Sequence, residues 1–106
     1  KIVVVLTRNP GYRKKRALKA TEQLYKRAYK KYPNLVHAIM TRNAVYNRQM
    51  KLIEKLEEEG KIFVIRPLIP TVSRMEKDYD KLQHFYMHGN RLMKKEYQGL
   101  LEYLNE

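Results

Sequence analysis

Cysteine is absent from this sequence of 106 residues, and Ser73 is its single serine. The lack of cysteine excludes disulfide bonds, thiolate zinc sites and a cysteine nucleophile. Ser73 has no glycine beside it, so it does not lie on the Gly-x-Ser-x-Gly elbow of a serine hydrolase. Residues 73–76 instead follow a capping-box pattern, and we predict a local hydrogen-bonding role for Ser73. The sequence therefore offers no catalytic residue.

Glycine clusters and long apolar runs are also missing. Gly11 stands alone after Pro10, which excludes a Walker loop and a dinucleotide-binding fingerprint, and we expect no cofactor. The longest apolar run, residues 2–6, is far shorter than the ~20 residues that span a bilayer. No leader pattern is visible. We therefore expect a cytoplasmic protein that meets a membrane only at its surface.

Acidic residues are outnumbered, with 11 Asp and Glu against 23 Lys and Arg, for a formal net charge of +12. Such a surface attracts nucleic acid or anionic lipid headgroups. The nine tyrosines keep nucleic acid open as a partner, because aromatic rings among basic residues stack on bases. Tyr25, Tyr46 and Tyr86 nevertheless follow the apolar faces of predicted helices, so we predict that they lie in the core and favour the lipid alternative.

Two unbroken apolar runs predict strands at residues 2–7 and 61–66, each of the kind that is buried on both faces of a parallel sheet. Helical periodicity predicts three helices: one from about residue 17, one at roughly 33–59 and one at about 79–104. Pro33 suits the first turn of the second helix, Gly60 its end, and Asp78 the N-cap of the third. The order β-α-α-β-α predicts an α/β fold with a right-handed crossover.

The final helix is predicted to bury one apolar face, formed by Leu82, Phe85, Tyr86, Gly89, Met93, Leu100 and Leu104. Asp80, His84 and His88 are spaced four residues apart, which permits a metal site on a helix. They fall on the predicted polar face, however, and a pair of histidines alone makes a weak site. We therefore interpret both histidines as solvated.

Two strands make an incomplete sheet, because strands of the buried kind need neighbours and helices on both faces. The chain also begins almost directly inside an apolar run, without an initiator methionine. We therefore expect residues 1–106 to form one segment of a larger domain. Its exposed sheet edges would also favour self-association of the isolated segment.

Two polar clusters are candidate sites. The first follows the first strand, at a position where α/β proteins bind ligands, and would contact an anion or a lipid headgroup; its members are Arg8, Arg13, Lys14, Lys15 and Arg16. The second lies in the middle of the long predicted helix, although asparagine has a low helix propensity. We expect it to contact a part of the domain that this chain lacks, although plain surface exposure is an equal alternative; its members are Arg42, Asn43, Tyr46 and Asn47.

Several stretches, in order, resemble the downstream region of bacterial patatin-like phospholipases, of the branch described as predicted esterases. They are residues 4–8 with 10–15, 32–33 with 42–43 and 46–47, 59–67, and 73–78. The likeness spans nearly the whole chain, with one departure at Tyr79, where that family often has proline.

The resemblance implies a three-layer α/β domain of the alpha-beta hydrolase type that hydrolyses lipid acyl esters with a Ser–Asp dyad. The dyad and the glycine-rich oxyanion loop lie upstream of the region resembled here, so no catalytic residue can be assigned to this chain. It also implies that the main partner is the N-terminal catalytic part of the same polypeptide. The chain would then be an accessory segment of a phospholipase or carboxylesterase.

Overall fold

The computed structural model describes all of residues 1–106. It contains two strands and three helices in the predicted order: β1 (Val3–Val5), α1 (Lys19–Ala28), α2 (Pro33–Glu58), β2 (Phe63–Ile65) and α3 (Tyr79–Asn105). β1 and β2 pair in parallel, with Val4 opposite Val64. The prediction of a mixed helix-and-strand fold with a parallel sheet is therefore confirmed.

The chain divides into two compact units. The first, called here the sheet unit, combines Lys1–Tyr12 with Leu56–Glu106 and contains β1, β2 and α3. The second, the helical unit, is Arg13–Lys55 and contains α1 and most of α2. None of the helices is long and apolar enough to cross a membrane.

Helix boundaries follow the signals in the sequence. α2 begins at Pro33, and Gly60 lies just beyond its end with a φ of 69°, a conformation that costs glycine little. Asp78 caps α3 by accepting hydrogen bonds from the N–H groups of Asp80 and Lys81. Ser73 does not cap a helix: residues 73–76 form a turn before α3, closed by a bond from the Glu76 N–H to the Ser73 carbonyl, so its hydrogen bond is local to the loop.

Both strands are shorter than predicted, three residues each rather than six. The prediction that they are buried on both faces is also wrong for this chain. Val5 is 69% exposed and Val3 is 39% exposed, while all of β2 is half-buried. The physical reason is that helices must cover the faces of a sheet, and the main helix contact of this sheet is that of α3 with β2.

Only part of the predicted apolar face of α3 turns inward: Phe85, Met93 and Leu100 are half-buried. Leu92 and Tyr103 are buried, whereas Tyr86 is 67% exposed and Leu82 and Leu104 are exposed as well. Tyr86 is therefore not a core residue, while Tyr25 and Tyr46 are half-buried. Apolar spacing missed the true face because that face includes polar-tipped side chains, Tyr103 and His88, whose hydrogen bonds hold other segments.

The hydroxyl of Tyr103 joins both strands at their amino ends. It accepts a hydrogen bond from the Ile2 N–H at 3.0 Å and lies 3.1 Å from the carbonyl oxygens of Ile2 and Lys61, which share its single proton. The ring packs 5.7 Å from that of Phe63, and the Lys1 ammonium lies 4.7 Å from the ring centre. One side chain of α3 thus fixes the start of the sheet.

The carboxyl ends of the strands are joined by two other side chains. The Asn9 amide donates to the carbonyls of Pro67 and Ile69, at 3.2 and 2.7 Å. The Leu68 N–H donates to Nε2 of His88 at 3.0 Å. His88 is therefore half-buried against the loop after β2, and the prediction that it is solvated is wrong.

Replacing Tyr103 with phenylalanine removes this hydroxyl and leaves the Ile2 N–H and the Lys61 carbonyl without this partner, while the Ile2 carbonyl keeps its bond from the Phe63 N–H. We expect Tyr103→Phe to lower the free energy of unfolding by about 1 to 2 kcal/mol. Urea unfolding followed by circular dichroism measures the change. Tyr86→Phe is the matched control on the same helix, and we expect it to stay within about 0.5 kcal/mol. Equal effects of the two variants would contradict the role given to the Tyr103 hydroxyl.

Candidate functional site

Two asparagines of α2 hold an extended segment of the helical unit through its backbone. Oδ1 of Asn47 accepts from the Lys14 N–H at 2.8 Å, and Nδ2 of Asn47 donates to the Lys14 carbonyl at 2.9 Å. One turn earlier, Nδ2 of Asn43 donates to the Lys15 carbonyl at 2.7 Å. The amides are four residues apart and so lie on one face of the helix. Together they replace the hydrogen bonds that a neighbouring strand would give this segment.

Two further contacts reinforce this asparagine clamp, defined as Asn43 and Asn47 with the segment 13–15. The Lys14 ammonium lies 4.3 Å from the centre of the Tyr46 ring, within the range of a cation–π contact. Nη2 of Arg13 lies 2.8 and 2.9 Å from the two carboxylate oxygens of Glu54. The ion pair is about one third exposed, so its contribution to stability is small, but it fixes where the segment begins.

The structure thus brings the two predicted clusters together. Asn43, Tyr46 and Asn47 contact the basic segment itself, so their hydrogen bonds are directed at a partner within the helical unit. The prediction that they contact a missing part of the domain overlooked this partner, because the two segments are about thirty residues apart in sequence. Arg42 is exposed and takes no part in the clamp. Its contact with a part of the domain that this chain lacks stays a prediction.

The five basic candidates separate into engaged and unengaged cations. Arg13 and Lys14 have the partners described above. Arg8, in the sheet unit, lies 4.7 Å from the centre of the Tyr12 ring and donates a long bond of 3.5 Å to the Thr71 hydroxyl. Lys15 and Arg16 are exposed, and the guanidinium of Arg16 makes no hydrogen bond or ion pair.

The extended segment and α2 enclose an open cleft of about 520 Å³ within the helical unit. Its basic and amide lining comes from Lys14, Arg16, His37, Asn43 and Asn47, and its remaining walls from Ala17, Glu22, Met40, Thr41 and Ala44. The sequence analysis missed His37 and Glu22 as parts of a site. Neither has a motif, and only the fold brings residue 37 close to residues 14–22.

The single carboxylate of the cleft already has a cationic partner. Glu22 pairs with Lys26 at 3.0 Å, one turn along α1. That hydrogen bond and the charge of Lys26 lower the pKa of Glu22, and the charges of Arg16 and Lys19 lower it further. The carboxylate therefore stays ionised, and because both Lys14 and Arg16 also line the cleft, the balance of charge there is still positive.

The histidines of α3 do not form a metal site. No group of three or more metal-ligating side chains occurs in the chain. Nε2 of His88, one of the two ring nitrogens that can bind a metal, already accepts from the Leu68 N–H. His88 instead lines an apolar groove of about 270 Å³ at the carboxyl ends of the strands, beside Phe85, Leu92 and Met93.

Loss of the Asn47 amide should release the extended segment without unfolding α2. We expect Asn47→Ala to speed hydrogen exchange of the Lys14 N–H by about tenfold to a hundredfold, as expected for two lost bonds of about 1 kcal/mol each. Exchange followed by NMR isolates this local effect from the gain in helix propensity that alanine brings. Gln49→Ala, an exposed neighbour, is the control and should leave that exchange rate unchanged. Unaltered protection in Asn47→Ala would mean that the clamp does not hold the segment.

A family model matches residues 32–105, more than half of the chain. The match covers α2, β2 and α3, and it leaves out β1, the basic segment and α1. No curated protein and no solved structure matches the chain. The chain belongs to the family described as a domain of unknown function, DUF6363.

Proposed function

We propose that this chain is a structural segment of a patatin-like lipid acyl hydrolase, in which it extends a larger parallel sheet and supplies no catalytic residue. The observation that carries the proposal is the open edge of β1. The hydrolase would be a phospholipase or carboxylesterase, and its Ser–Asp dyad would lie in the catalytic part of the same polypeptide. Acyl transfer to the serine and an oxyanion hole would perform the reaction there.

The backbone of β1 presents unpaired groups along one edge. The Phe63 N–H donates to the Ile2 carbonyl at 3.0 Å, and the Leu6 N–H donates to the Ile65 carbonyl at 2.8 Å. Backbone groups of successive residues in a parallel strand point to opposite edges. Val3 and Val5 therefore direct their N–H and C=O groups away from β2, where the sheet has no further strand. Such an edge is a template for another strand.

The apolar side chains of β1 also indicate that this strand would be covered in a larger domain. Val5 is 69% exposed, and Ile2 and Val3 are exposed as well, although the run from Ile2 to Leu6 is wholly apolar. An unbroken apolar run is typical of strands covered on both faces by helices. A neighbouring strand of a larger domain would therefore satisfy the backbone and cover the valines in one step.

The stretches that resemble patatin-like enzymes also have structural roles in this chain. Asn43 and Asn47 form the clamp, and Lys14 belongs to the segment that they hold. Asp78, the last residue of the fourth stretch, is the N-cap of α3. Side chains that shape the fold are what an accessory segment would share with its relatives, and this supports a structural rather than a catalytic contribution.

Ester hydrolysis tests the proposal directly. The chain and the natural polypeptide that contains it, with all its upstream sequence, are assayed with a chromogenic medium-chain acyl ester. We expect hydrolysis by the longer polypeptide and none by residues 1–106. If neither hydrolyses the ester, and the short chain instead binds nucleic acid with a steep dependence on salt, the hydrolase proposal is overturned in favour of a basic nucleic-acid-binding module.

A charge placed on the open edge should prevent the larger sheet from forming. We expect Val5→Lys in the natural polypeptide to abolish most of the ester hydrolysis or the yield of soluble protein, because an inward-pointing lysine blocks strand addition. Met75→Lys is the matched control, since it adds the same charge at a residue that is 73% exposed in a loop of the same unit. If Val5→Lys behaves like Met75→Lys, the edge is not covered.

A further inference from the structure

We infer that the cleft of the helical unit binds a phosphate group carried on a small organic substituent, with Arg16 as its principal contact. The inference rests on the geometry of Arg13–Lys55 alone and does not depend on the hydrolase proposal. Its ligand is a phosphomonoester, and that chemistry is shared by a soluble molecule and by a lipid headgroup. The experiments below distinguish these two sources.

The positive groups of the cleft are available to an anion. Arg16 makes no hydrogen bond or ion pair, so its planar fork of N–H donors can bind two phosphate oxygens at once. Lys14 adds a second charge, held in position over the Tyr46 ring. The one carboxylate in the lining, on Glu22, forms its ion pair with Lys26, and it attracts Arg16 only through a weaker, longer-range interaction.

The asparagine clamp makes this arrangement pre-organised. Asn47 engages both backbone polar groups of Lys14, and Asn43 engages the carbonyl of Lys15. The backbone immediately before Arg16 is therefore fixed, and less ordering is needed when a ligand binds. Nδ2 of Asn43 keeps a second hydrogen beside the cleft, which can donate to a phosphate oxygen.

The size and lining of the cleft favour more than a bare ion. Its volume of about 520 Å³ falls within the range of about 300 to 1,000 Å³ that is usual for small-molecule sites. Ala17, Met40 and Ala44 form an apolar wall beside the polar groups. A phosphate at Arg16 would place its organic substituent against that wall, which is why we infer a phosphomonoester.

The first experiment titrates the chain with glycerol phosphate at constant ionic strength and follows the Asn43 side-chain amide and the Arg16 Nε–H by NMR. We expect saturable shifts of both signals. Arg16→Gln should weaken binding by about tenfold, as expected for loss of a charge-assisted hydrogen bond. Arg27→Gln is the matched control, because it removes the same charge from an exposed residue of the same unit outside the cleft. Shifts that never saturate, or equal weakening by the two variants, would overturn the inference.

Vesicles identify the source of the phosphate. The chain and both variants are sedimented with phosphatidylcholine vesicles that contain a minor fraction of phosphatidic acid, and with pure phosphatidylcholine vesicles. If the natural ligand is a lipid headgroup, Arg16→Gln loses binding to the acidic vesicles while Arg27→Gln retains it. If the site takes the soluble ester only, the two variants bind acidic vesicles equally but still differ in the glycerol phosphate titration. Both results support the cleft as a phosphate site, and each assigns a different source.

Discussion

Parallel pairing is the constraint from which the rest of this fold follows. Two parallel strands cannot be joined by a tight turn, so the chain between them must return the full length of the strand before β2 begins. Residues 6–62 make that return, and they contain α1 and α2. The strands pair through only three residues each, so side chains must secure the register. Tyr103 does this at one end of the sheet, and Asn9 does it at the other.

The same need for backbone partners explains the asparagine clamp. Residues 12–18 belong to no helix, strand or turn, so their N–H and C=O groups need other partners. An amide side chain carries an N–H donor group and a C=O acceptor in nearly the geometry of a peptide group. Asn47 therefore satisfies Lys14 much as a paired strand would. The unfavourable helix propensity of asparagine, up to about 0.7 kcal/mol against alanine, is offset by these bonds.

Local signals in the sequence predicted the start of α2, its end and the start of α3 well, because their chemistry is local. Pro33, Gly60 and Asp78 act through backbone conformation or through hydrogen bonds to residues two or three positions away. The inward face of α3 was not predictable in the same way. It depends on Tyr103 and His88, and the groups that these side chains bind belong to segments distant in sequence.

The candidate site could likewise be predicted from the sequence only in part. The unusual asparagines in a helix indicated that α2 had a polar partner, and the basic run indicated an anion site. The sequence could not show that Asn43 and Asn47 bind the backbone of the basic run. The two clusters are far apart in sequence, and the path of the chain through α1 brings them together. His37 and Glu22 carried no signal at all before the fold placed them on the cleft.

The pairing of charges explains why a strongly basic chain has a definite positive site rather than only a diffuse field. Several acidic side chains have a close cationic partner: Glu22 with Lys26, Glu54 with Arg13, and Glu57 with Arg66. Arg16 is left without such a partner on a backbone that the clamp has already fixed. Its guanidinium is a planar fork that can bind two phosphate oxygens at once, which the ammonium of an exposed lysine cannot do. The open edge of β1 has the opposite requirement, since it needs backbone hydrogen bonds and apolar cover rather than charge. The partners proposed for the two units therefore differ chemically, and a single polyanionic ligand would suit only the cleft.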